Sequence, residues 1–411
     1  MNVAPPARLL DLTRLVSRLG RGPLTGVDRV EHAYLRRFLS DPLPFFALVR
    51  TRLGFALLDR EGAQAVLRAA SAGAVCGPAD LVSRVLWRGQ PQRARSEAEV
   101  RRLAIARVPR PLLGTMLRRR LPAGSAYFNV GHANLSPTAI AMVRRALAAE
   151  VSVLVHDTIP LDHPEFSRPG IPESFARKMQ AVAEGADRVI YTTQDARGLA
   201  ERHFRRFGRV PPGLVAGLGV EPARPTPEAL PPGLDRRPFF LCVGTIEPRK
   251  NHAFLLDLWQ RMHDTRSEAE VPRLILAGTR GWAGPEVLGR LDSLPFMGRT
   301  VLECPGLPDG AIAALMQRAT ALLFPTLAEG FGLPLVEAAA AGLPAICTPL
   351  PVFHEILGDY PVYLNPGDSY SWEQRMGEMM RAGERLGEAG RQGHAIPGWD
   401  SHFNLVLSNA R

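Results

Sequence analysis

The stretch "ALLFPTLAEGFGLPLVEAAAAGLPAIC", residues 321–347, contains a complete strand, helix and strand. Short apolar runs at 321–326 and 344–347 predict two buried strands, and the spacing of apolar residues predicts a helix over 333–341. Pro334 suits the first turn of that helix, where a backbone N–H is not needed. Buried strands joined through a helix are typical of a parallel sheet that helices cover on both faces.

The same alternation of short apolar strands and helices extends over the chain. In the second half, the other predicted strands are 239–244, 272–278, 300–306 and 361–364, and the other predicted helices are 252–263, 284–294 and 309–319. In the first half, the predicted strands are 8–12, 44–50, 126–131, 151–157 and 187–193, and the predicted helices are 26–39, 137–149, 171–184 and 195–206. We therefore predict an α/β fold of two Rossmann-like, doubly wound domains that face each other across a cleft. Open α/β sheets bind ligands at the carboxyl ends of their strands, which would line that cleft.

A proline-rich segment separates the two halves. Residues 221–238 contain six prolines, which predicts neither helix nor strand because proline fixes φ and lacks a backbone N–H. We predict an N-terminal domain over 1–220 with a basic insertion at about 80–120, a linker over 221–238 and a second domain over 239–398. A C-terminal helix over 399–411 can pack back on the N-terminal domain.

Composition limits the class of protein. With 411 residues, 46% hydrophobic and 22% charged, the chain has room for two or three globular domains. No apolar run approaches the roughly 18 residues that span a bilayer, and the N-terminus lacks the pattern of a secretory signal. We therefore expect a cytoplasmic protein. Cysteines at 76, 242, 304 and 347 lack the spacing of a zinc site, so we expect reduced core thiols.

Positive charge is concentrated in one segment. Residues 84–120 contain eleven arginines against two glutamates, a net charge of +9 out of a total of +10. The arginines are interleaved with Val100, Leu103, Ile105, Leu112, Leu113, Met116 and Leu117. Such a segment can lie on an anionic inner-membrane surface, where each cation contributes about 1 kcal/mol. A solvated helix face is the alternative, and nucleic acid is disfavoured because Trp87 is the only aromatic residue there.

Two cations follow the first strand of the second half. "VGTIEPRKNH" (243–252) places Arg249 and Lys250 between a strand and the start of a helix. Two fixed cations beside free helix N-terminal N–H groups suit a phosphate or diphosphate. A solvated surface pair is the alternative.

Two carboxylates lie eight residues apart in "EGFGLPLVE" (329–337). They can be an acid/base pair, two unrelated surface charges or two contacts on one ligand. Glu329 lies in the loop before the helix and Glu337 lies a turn into it, so both can flank the amides of 332–335. An anion at the amides and hydroxyls at the carboxylates are the chemistry of a nucleotide sugar, which favours the third interpretation.

The motif P-T-x-x-E-G-F-G-L-P-x-x-E-A-x-A-x-G-x-P (325–344), together with V-G-T-x-x-P-R-K-N (243–251), resembles the bacterial family 4 glycosyltransferases. These are retaining enzymes of the GT-B architecture. Within the family, the chain looks most like the mannosyltransferases of O-antigen and capsular polysaccharide assembly. The resemblance covers nearly all of 239–365 and is patchier over 1–220. One departure is Thr245, where many members carry Arg, and we expect Arg249 to supply that charge.

The resemblance implies how the second half binds its donor. Glu329 would contact hydroxyls of the donor sugar and Glu337 the ribose, while Arg249 and Lys250 neutralise the diphosphate. The implied donor-binding residues are Gly26, Gly244, Arg249, Lys250, Leu307, Glu329, Gly330, Phe331, Gly332, Leu333 and Glu337. Leu307 would lie near the nucleobase and the 330–333 backbone against the sugar and diphosphate.

The first half offers fewer signals. Gly26, in "GPLTGVDRVE" (22–31), matches a family loop that faces the diphosphate, although a structural turn is the alternative. The resemblance implies that His156 contacts the donor sugar, so the implied catalytic set is Glu329, Arg249, Lys250 and His156. A core histidine is the alternative for His156.

Three further residues of the first half are acceptor-side candidates: Asp157, His132 and Asn134. A metal site made of His156, Asp157, Asp162 and His163 is a disfavoured alternative, because their spacing matches no common site and the family that the chain resembles works without metal.

We therefore predict a metal-independent, retaining hexosyltransferase without a cofactor. Its substrate is a GDP- or UDP-hexose, with mannose from GDP-mannose favoured, and its acceptor is a lipid-linked saccharide or polysaccharide of the cell surface. We expect a cytoplasmic, peripheral protein on the inner face of the cell membrane, with no nucleic-acid partner. The alternatives are a GT-B nucleotide-sugar 2-epimerase and a catalytically degenerate scaffold that binds nucleotide sugar or membrane.

Overall fold

A computed structural model describes residues 4–71, 76–230, 237–386 and 393–408. The chain divides into two compact units, the first made of 1–158, 170–218 and 399–411 and the second of 159–169 and 219–398. Residues 159–169, which the sequence placed in the N-terminal domain, thus group with the second unit. Parts of the predicted linker (231–236) and of the predicted C-terminal helix (409–411) lie outside the described residues.

The first unit is built on an eight-stranded sheet. Its strands are β1 (Arg8–Asp11), β2 (Phe45–Thr51), β3 (Gly54–Leu58), β4 (Ala106–Val108), β5 (Ala126–Asn129), β6 (Val151–Val155), β7 (Arg188–Tyr191) and β8 (Gly213–Val215). The order is β4-β3-β2-β1-β5-β6-β7-β8. The pairs β2/β3 and β3/β4 are antiparallel, and the remaining neighbours are parallel. The sequence did not predict β3, β4 or β8.

Helices cover both faces of this sheet, so β1, β5, β6 and β7 are buried along their whole length. They are α1 (Thr13–Arg18), α2 (Gly26–Ser40), α3 (Arg60–Ser71), α4 (Leu81–Leu86), α5 (Pro91–Leu103), α6 (Leu113–Arg120), α7 (Pro137–Leu147), α9 (Ile171–Gly185), α10 (Gln194–Arg206) and α17 (Trp399–Ser408). Side-chain oxygens at the residue before each helix explain where two of them begin. Ser136 accepts from the N–H of Ala139 at the start of α7, and Thr193 accepts from the N–H of Ala196 at the start of α10.

The C-terminal helix α17 packs within the first unit. His402 Nε2 and the Tyr34 hydroxyl are 2.8 Å apart, and the Phe403 ring lies 5.0 Å from the Tyr34 ring. The Arg188 guanidinium donates to the Val406 carbonyl at 3.1 Å. Because these contacts are buried, α17 completes the core of a unit whose other elements lie far away in sequence.

The second unit has an entirely parallel six-stranded sheet. Its strands are β9 (Phe239–Val243), β10 (Arg273–Ala277), β11 (Val301–Glu303), β12 (Ala321–Phe324), β13 (Ala345–Cys347) and β14 (Val362–Tyr363). The order is β11-β10-β9-β12-β13-β14. Its helices are α8 (Ile159–Asp162), α11 (His252–Thr265), α12 (Pro285–Ser293), α13 (Asp309–Arg318), α14 (Leu333–Ala340), α15 (Pro351–Leu357) and α16 (Ser369–Leu386). The chain therefore leaves β9 to one side and β12 to the other, so the strand order reverses between them.

Three sequence predictions have direct structural outcomes. The proline-rich segment is not wholly irregular, because Pro227–Ala229 forms a 3₁₀ helix, whose first position tolerates proline. All four cysteines are buried free thiols, as predicted. Within the described residues, no helix combines the length and the apolar character needed to cross a bilayer.

Candidate functional site

The strand order of the second unit selects one place for a ligand. Where the order of a parallel sheet reverses, the loops after the two central strands diverge and leave a crevice at their carboxyl ends. Here those strands are β9 and β12, which pair directly. The loop after β9 contains a 3₁₀ helix over Pro248–Lys250, and the loop after β12 contains Glu329.

Four charged side chains meet at this reversal. Glu329 Oε2 accepts from Arg249 Nη1 at 2.8 Å and from Lys250 Nζ at 2.5 Å. Arg249 Nε lies 2.7 Å from Glu247 Oε1. The Arg249 carbonyl accepts from the backbone N–H of Leu327 at 2.7 Å, which ties the two loops together. We call Glu247, Arg249, Lys250 and Glu329 the switch-point site.

The switch-point site is largely removed from water. The side chains of Lys250 and Glu329 are only 8% and 12% exposed. Burial by itself opposes the charged form of Glu329, but the charges of Arg249 and Lys250 and their hydrogen bonds outweigh it and lower the pKa of Glu329 to about 2. Burial lowers the pKa of Lys250, and Glu329 opposes this effect. Glu329 therefore stays ionised near neutral pH and is unsuited to donate a proton.

The start of α14 supports the same crevice. Gly332 precedes the helix with φ of 83°, and a Cβ on it would lie 2.6 Å from Cε1 of Phe353. Only glycine fits this position without displacing the Phe353 ring. The expectation of four available amides over 332–335 was wrong, because Pro334 has no N–H and the N–H of Leu335 donates to the Gly332 carbonyl. Of residues 332–335, Gly332 and Leu333 therefore keep the backbone N–H groups that can donate to an anion.

A second group of polar side chains lies in the first unit, at the ends of β1, β5 and β6. His156 Nε2 donates to the Val130 carbonyl at 2.7 Å, and His132 Nε2 donates to the Leu154 carbonyl at 2.9 Å. The two rings are 5.0 Å apart. Burial lowers the pKa of His156 to about 4 and that of His132 well below its usual value. Both imidazoles are thus neutral, and Nδ1 of each can accept a hydrogen bond.

The loop that carries His132 is conformationally strained. His132 and Asn134 have φ of 55° and 54°, a left-handed conformation that costs on the order of 1 kcal/mol or more for a non-glycine residue. A buried network holds the loop, since Asn134 Nδ2 donates to Asp11 Oδ2 at 2.6 Å and to Thr13 Oγ1 at 2.9 Å. The Tyr127 hydroxyl donates to the same Asp11 oxygen at 3.1 Å. Burial raises the pKa of Asp11.

Comparison with known proteins identifies the domain family that most of the second unit matches. Residues 231–393 match the family model described as "Glycosyl transferases group 1". This segment is a glycosyl transferases group 1 domain. The resemblance that the sequence motifs indicated is thereby confirmed.

The curated relatives of the chain include mannosyltransferases and D-inositol 3-phosphate glycosyltransferases. The serotype-specific mannosyltransferase WbdA of Escherichia coli is 32% identical over 253 residues, which cover 57% of this chain and 30% of WbdA. The O-antigen chain mannosyltransferase RfbU of Salmonella typhimurium is 30% identical over 152 residues, 34% of this chain and 37% of RfbU. The chain thus spans only about a third of the length of these two mannosyltransferases.

A solved structure covers almost the whole chain. Anabaena Alr3699/HepE, in complex with UDP-glucose, superposes with a TM-score of 0.57 at 14% identity, covering 98% of this chain and 95% of HepE. At this identity the likeness shows the fold alone. The predicted GT-B fold of two parallel-sheet α/β domains is confirmed.

Within the group 1 domain, the structure brings together only part of the predicted donor set. Arg249, Lys250 and Glu329 are in direct contact, and Gly330–Leu333 continues the same loop into α14. Glu337 is half-buried on α14, and Leu307 lies in the loop after β11, at the edge of the sheet. Gly244 follows β9 with φ of 142° and approaches the Lys250 side chain.

In the first unit, the predicted residues separate into two loops. His132 and Asn134 share the strained loop, and His156 adjoins it, whereas Asp157 is half-buried after β6. Gly26 is the first residue of α2, and the left-handed glycines of that loop are instead Gly20 and Gly22. The proposed contacts of Gly26 and His156 with a donor stay predictions. Within the described ranges, no group of three or more His, Cys, Asp or Glu is arranged to hold a metal ion.

Sequence reasoning missed Glu247, Asp11 and Tyr127. Glu247 is a buried carboxylate directly before Pro248, Arg249 and Lys250, and burial raises its pKa. Asp11 is a carboxylate between Leu10 and Leu12 near the end of the strand "RLLDL", and that contrast was an available signal. Tyr127 carried no comparable signal, because an aromatic residue is ordinary in a strand.

The arginine-rich segment does not form the single interleaved surface that the sequence suggested. Its apolar residues Val100, Leu113, Met116 and Leu117 are buried in the first unit and cannot contact a membrane. Arg101 is only 9% exposed and pairs with Asp80 at 2.5 Å. The membrane interpretation is therefore wrong for these residues, because packing and ion pairs inside the unit occupy them.

Proposed function

We propose that this chain is a glycosyltransferase that moves a hexose from a nucleotide sugar to a cell-surface glycan acceptor. The observation that carries the proposal is the contact of Arg249, Lys250 and Glu329 at the strand reversal of a group 1 domain. Two cations aimed at one crevice suit a leaving diphosphate, whose developing charge they would stabilise.

A diphosphate that binds at the switch-point site would replace Glu329 as the hydrogen-bond acceptor of Arg249 and Lys250. Glu329 now accepts hydrogen bonds from both cations, and Glu247 also pairs with Arg249, so a diphosphate that enters must take over the hydrogen bonds to Glu329. The displaced Glu329 carboxylate, which is ionised, would then accept hydrogen bonds from sugar hydroxyls. The amides of Gly332 and Leu333 supply two more donors for the anion. Since Glu329 does not titrate near neutral pH, its proposed role is to orient the sugar.

Mannose is the proposed sugar and GDP-mannose the proposed donor, supported by the mannosyltransferase relatives. Retention of anomeric configuration and independence from metal follow from the sequence resemblance and are proposed with it. In this scheme, the leaving phosphate takes the acceptor proton on the same face of the sugar. The proposed acceptor is a lipid-linked saccharide or a polysaccharide.

A donor screen with product analysis tests the proposal. The purified chain is incubated with GDP-mannose, UDP-glucose, UDP-galactose or UDP-GlcNAc, with and without a lipid-linked saccharide, and NMR determines the anomeric configuration of the product. We expect acceptor-dependent transfer from GDP-mannose with retention. Epimerised or free sugar formed without acceptor would identify a 2-epimerase instead, and binding without turnover would identify a scaffold.

Peripheral membrane contact is proposed for α4 in place of the longer basic segment. Leu81 and Val85 are 78% and 76% exposed, and Arg84 and Arg88 lie beside them. Exposed apolar residues with adjacent cations complement an anionic lipid surface.

Co-sedimentation of the protein with vesicles that contain phosphatidylglycerol tests this contact. We expect Leu81→Ser/Val85→Ser to reduce binding several-fold, while a control at exposed Leu53, Leu53→Ser, has no effect. Equal sedimentation of all three proteins would reject a membrane role for α4.

A further inference from the structure

The first unit contains a pocket at the turn between β2 and β3. It has a volume of about 340 Å³, and its walls include Trp87, Glu97 and the four arginines Arg50, Arg52, Arg93 and Arg110. We call it the Trp87 pocket. A volume of this order is in the range of small-molecule sites.

Four separate segments supply these side chains. Arg50 is the last residue but one of β2 and Arg52 lies in the tight turn before β3, while Arg93 belongs to α5. Glu97, one helical turn after Arg93, accepts from the backbone N–H of Arg52 at 2.9 Å. This hydrogen bond attaches the hairpin turn to α5, so the relative position of Arg52 and Arg93 is set by the fold.

The Trp87 ring organises two of the cations. The guanidinium carbon of Arg93 lies 4.0 Å and that of Arg52 5.1 Å from the centroid of the indole. Cations at these distances are held over the ring face. The indole N–H is itself buried and has no hydrogen-bond acceptor among the described residues.

The pocket has an excess of positive charge, because four guanidinium groups face the single carboxylate of Glu97. Within the described part of the chain, none of the four pocket guanidinium groups forms an ion pair, whereas Arg101 and Arg102 of the same α5 pair with Asp80 and Glu99. Burial and then the charges of Arg93 and Arg18 lower the pKa of neighbouring Arg21. Clustered cations that outnumber the nearby carboxylates attract an anion, and guanidinium groups bind phosphate oxygens in bidentate fashion.

We propose that the Trp87 pocket binds the diphosphate of an organic diphosphate ester, as found in a prenyl-diphosphate-linked glycan acceptor. The four guanidinium groups would bind the phosphate oxygens, and the indole ring would pack against the apolar or sugar moiety next to them. This assignment rests on the proposed glycosyltransferase function, because it names the acceptor of that reaction.

Calorimetric titration of the full chain with farnesyl diphosphate, inorganic diphosphate and GDP tests the assignment. We expect Arg52→Gln/Arg93→Gln to weaken binding of farnesyl diphosphate about tenfold or more, because charge-assisted hydrogen bonds are lost. Arg119→Gln/Arg120→Gln removes the same charge from exposed positions of the neighbouring α6, outside the pocket, and should change the affinity less than about twofold. Lys250→Met should weaken GDP binding and leave farnesyl diphosphate binding unchanged.

Four results would overturn the assignment. Absence of farnesyl diphosphate binding would do so directly. Equal weakening by the two double variants would indicate diffuse attraction, and loss of binding in Lys250→Met alone would place the ligand at the switch-point site. Inorganic diphosphate binding as tightly as farnesyl diphosphate would identify a site for free anions. Because these titrations need no turnover, a chain that binds the ester but transfers no sugar would refute the proposed function separately.

Discussion

The switch-point site and the Trp87 pocket both gather cations, but they differ in how the charges are compensated. Arg249 and Lys250 donate to Glu329 inside a nearly dry crevice. The pocket arginines have no carboxylate partner among the described residues, and three of the four are exposed. A buried cation needs an internal partner because desolvation is costly, while an exposed guanidinium can keep its water. A ligand must therefore displace a partner in the first case and displaces only water in the second.

The largest expected effect comes from removing a compensated cation. Lys250→Met removes the ammonium group that lies 2.5 Å from Glu329 and 4.4 Å from the centroid of the Phe324 ring. We expect kcat/KM for transfer from GDP-mannose to fall about 100-fold or more, because a preorganised donor to the leaving diphosphate is lost. Steady-state kinetics measure the change. Arg299→Gln, at an exposed position of the same unit, is the matched control and should retain full activity. If Lys250→Met kept the parental kcat/KM, Lys250 would not take part in donor binding or catalysis.

The next largest effect is expected from substitution of Glu329, the carboxylate that pairs with Lys250. It concerns the free energy of unfolding and its dependence on pH. Glu329→Gln removes the carboxylate that directly contacts buried Lys250 and should lower the free energy of unfolding by about 3 kcal/mol at pH 7. The folded pKa of Glu329 is lowered from 4.5 to about 2, so its stabilising contribution is present above pH 4.5 and is lost as pH falls toward 2. Urea denaturation should show a constant gap between the two proteins above pH 5 that narrows in acid. A gap independent of pH throughout would contradict the ion-pair account.

The rigidity of the switch-point site predicts a third effect. Gly332→Ala places a Cβ 2.6 Å from the Phe353 ring at a φ of 83°, and should cost about 2 kcal/mol in unfolding free energy. Gly289→Ala, inside α12 with no atom within 4 Å of its Cβ, should instead stabilise by about 0.5 kcal/mol. Chemical denaturation of both variants measures the contrast. Equal effects would mean that the start of α14 tolerates a side chain.

Much of the fold could be predicted because it is local in sequence. The strands of the second unit are apolar runs bounded by glycine or proline, and each is joined to the next through a helix of ordinary length. The three-residue strand β4 was missed because it pairs with β3 across a long intervening segment. Pairing between distant segments depends on tertiary packing, which periodicity does not report.

The candidate site follows the same division. The position of Arg249, Lys250 and Glu329 after two strands could be predicted, because parallel strands end at one edge of their sheet. Their direct ion pairs could not, since Glu329 was assigned to sugar hydroxyls and the cations to a diphosphate. The Asp11–Asn134 hydrogen bond joins residues 123 positions apart. No spacing rule connects such residues, so this contact emerges only with the fold.

The smallest expected effect is on the free energy of unfolding, and it compares two arginines of α5: Arg101, which forms an ion pair, and Arg93, which lines the Trp87 pocket. Arg101 donates to Asp80, the residue that caps α4, and to Ser83 Oγ, so Arg101→Gln should lower the free energy of unfolding by about 2 kcal/mol. Arg93→Gln loses a cation–π contact of about 0.5–1 kcal/mol but relieves repulsion among the pocket arginines. We therefore expect a change within about 0.5 kcal/mol, measured by urea denaturation at low salt. If Arg93→Gln destabilised the chain as much as Arg101→Gln, the pocket charge would be part of the folded core and not held for a ligand.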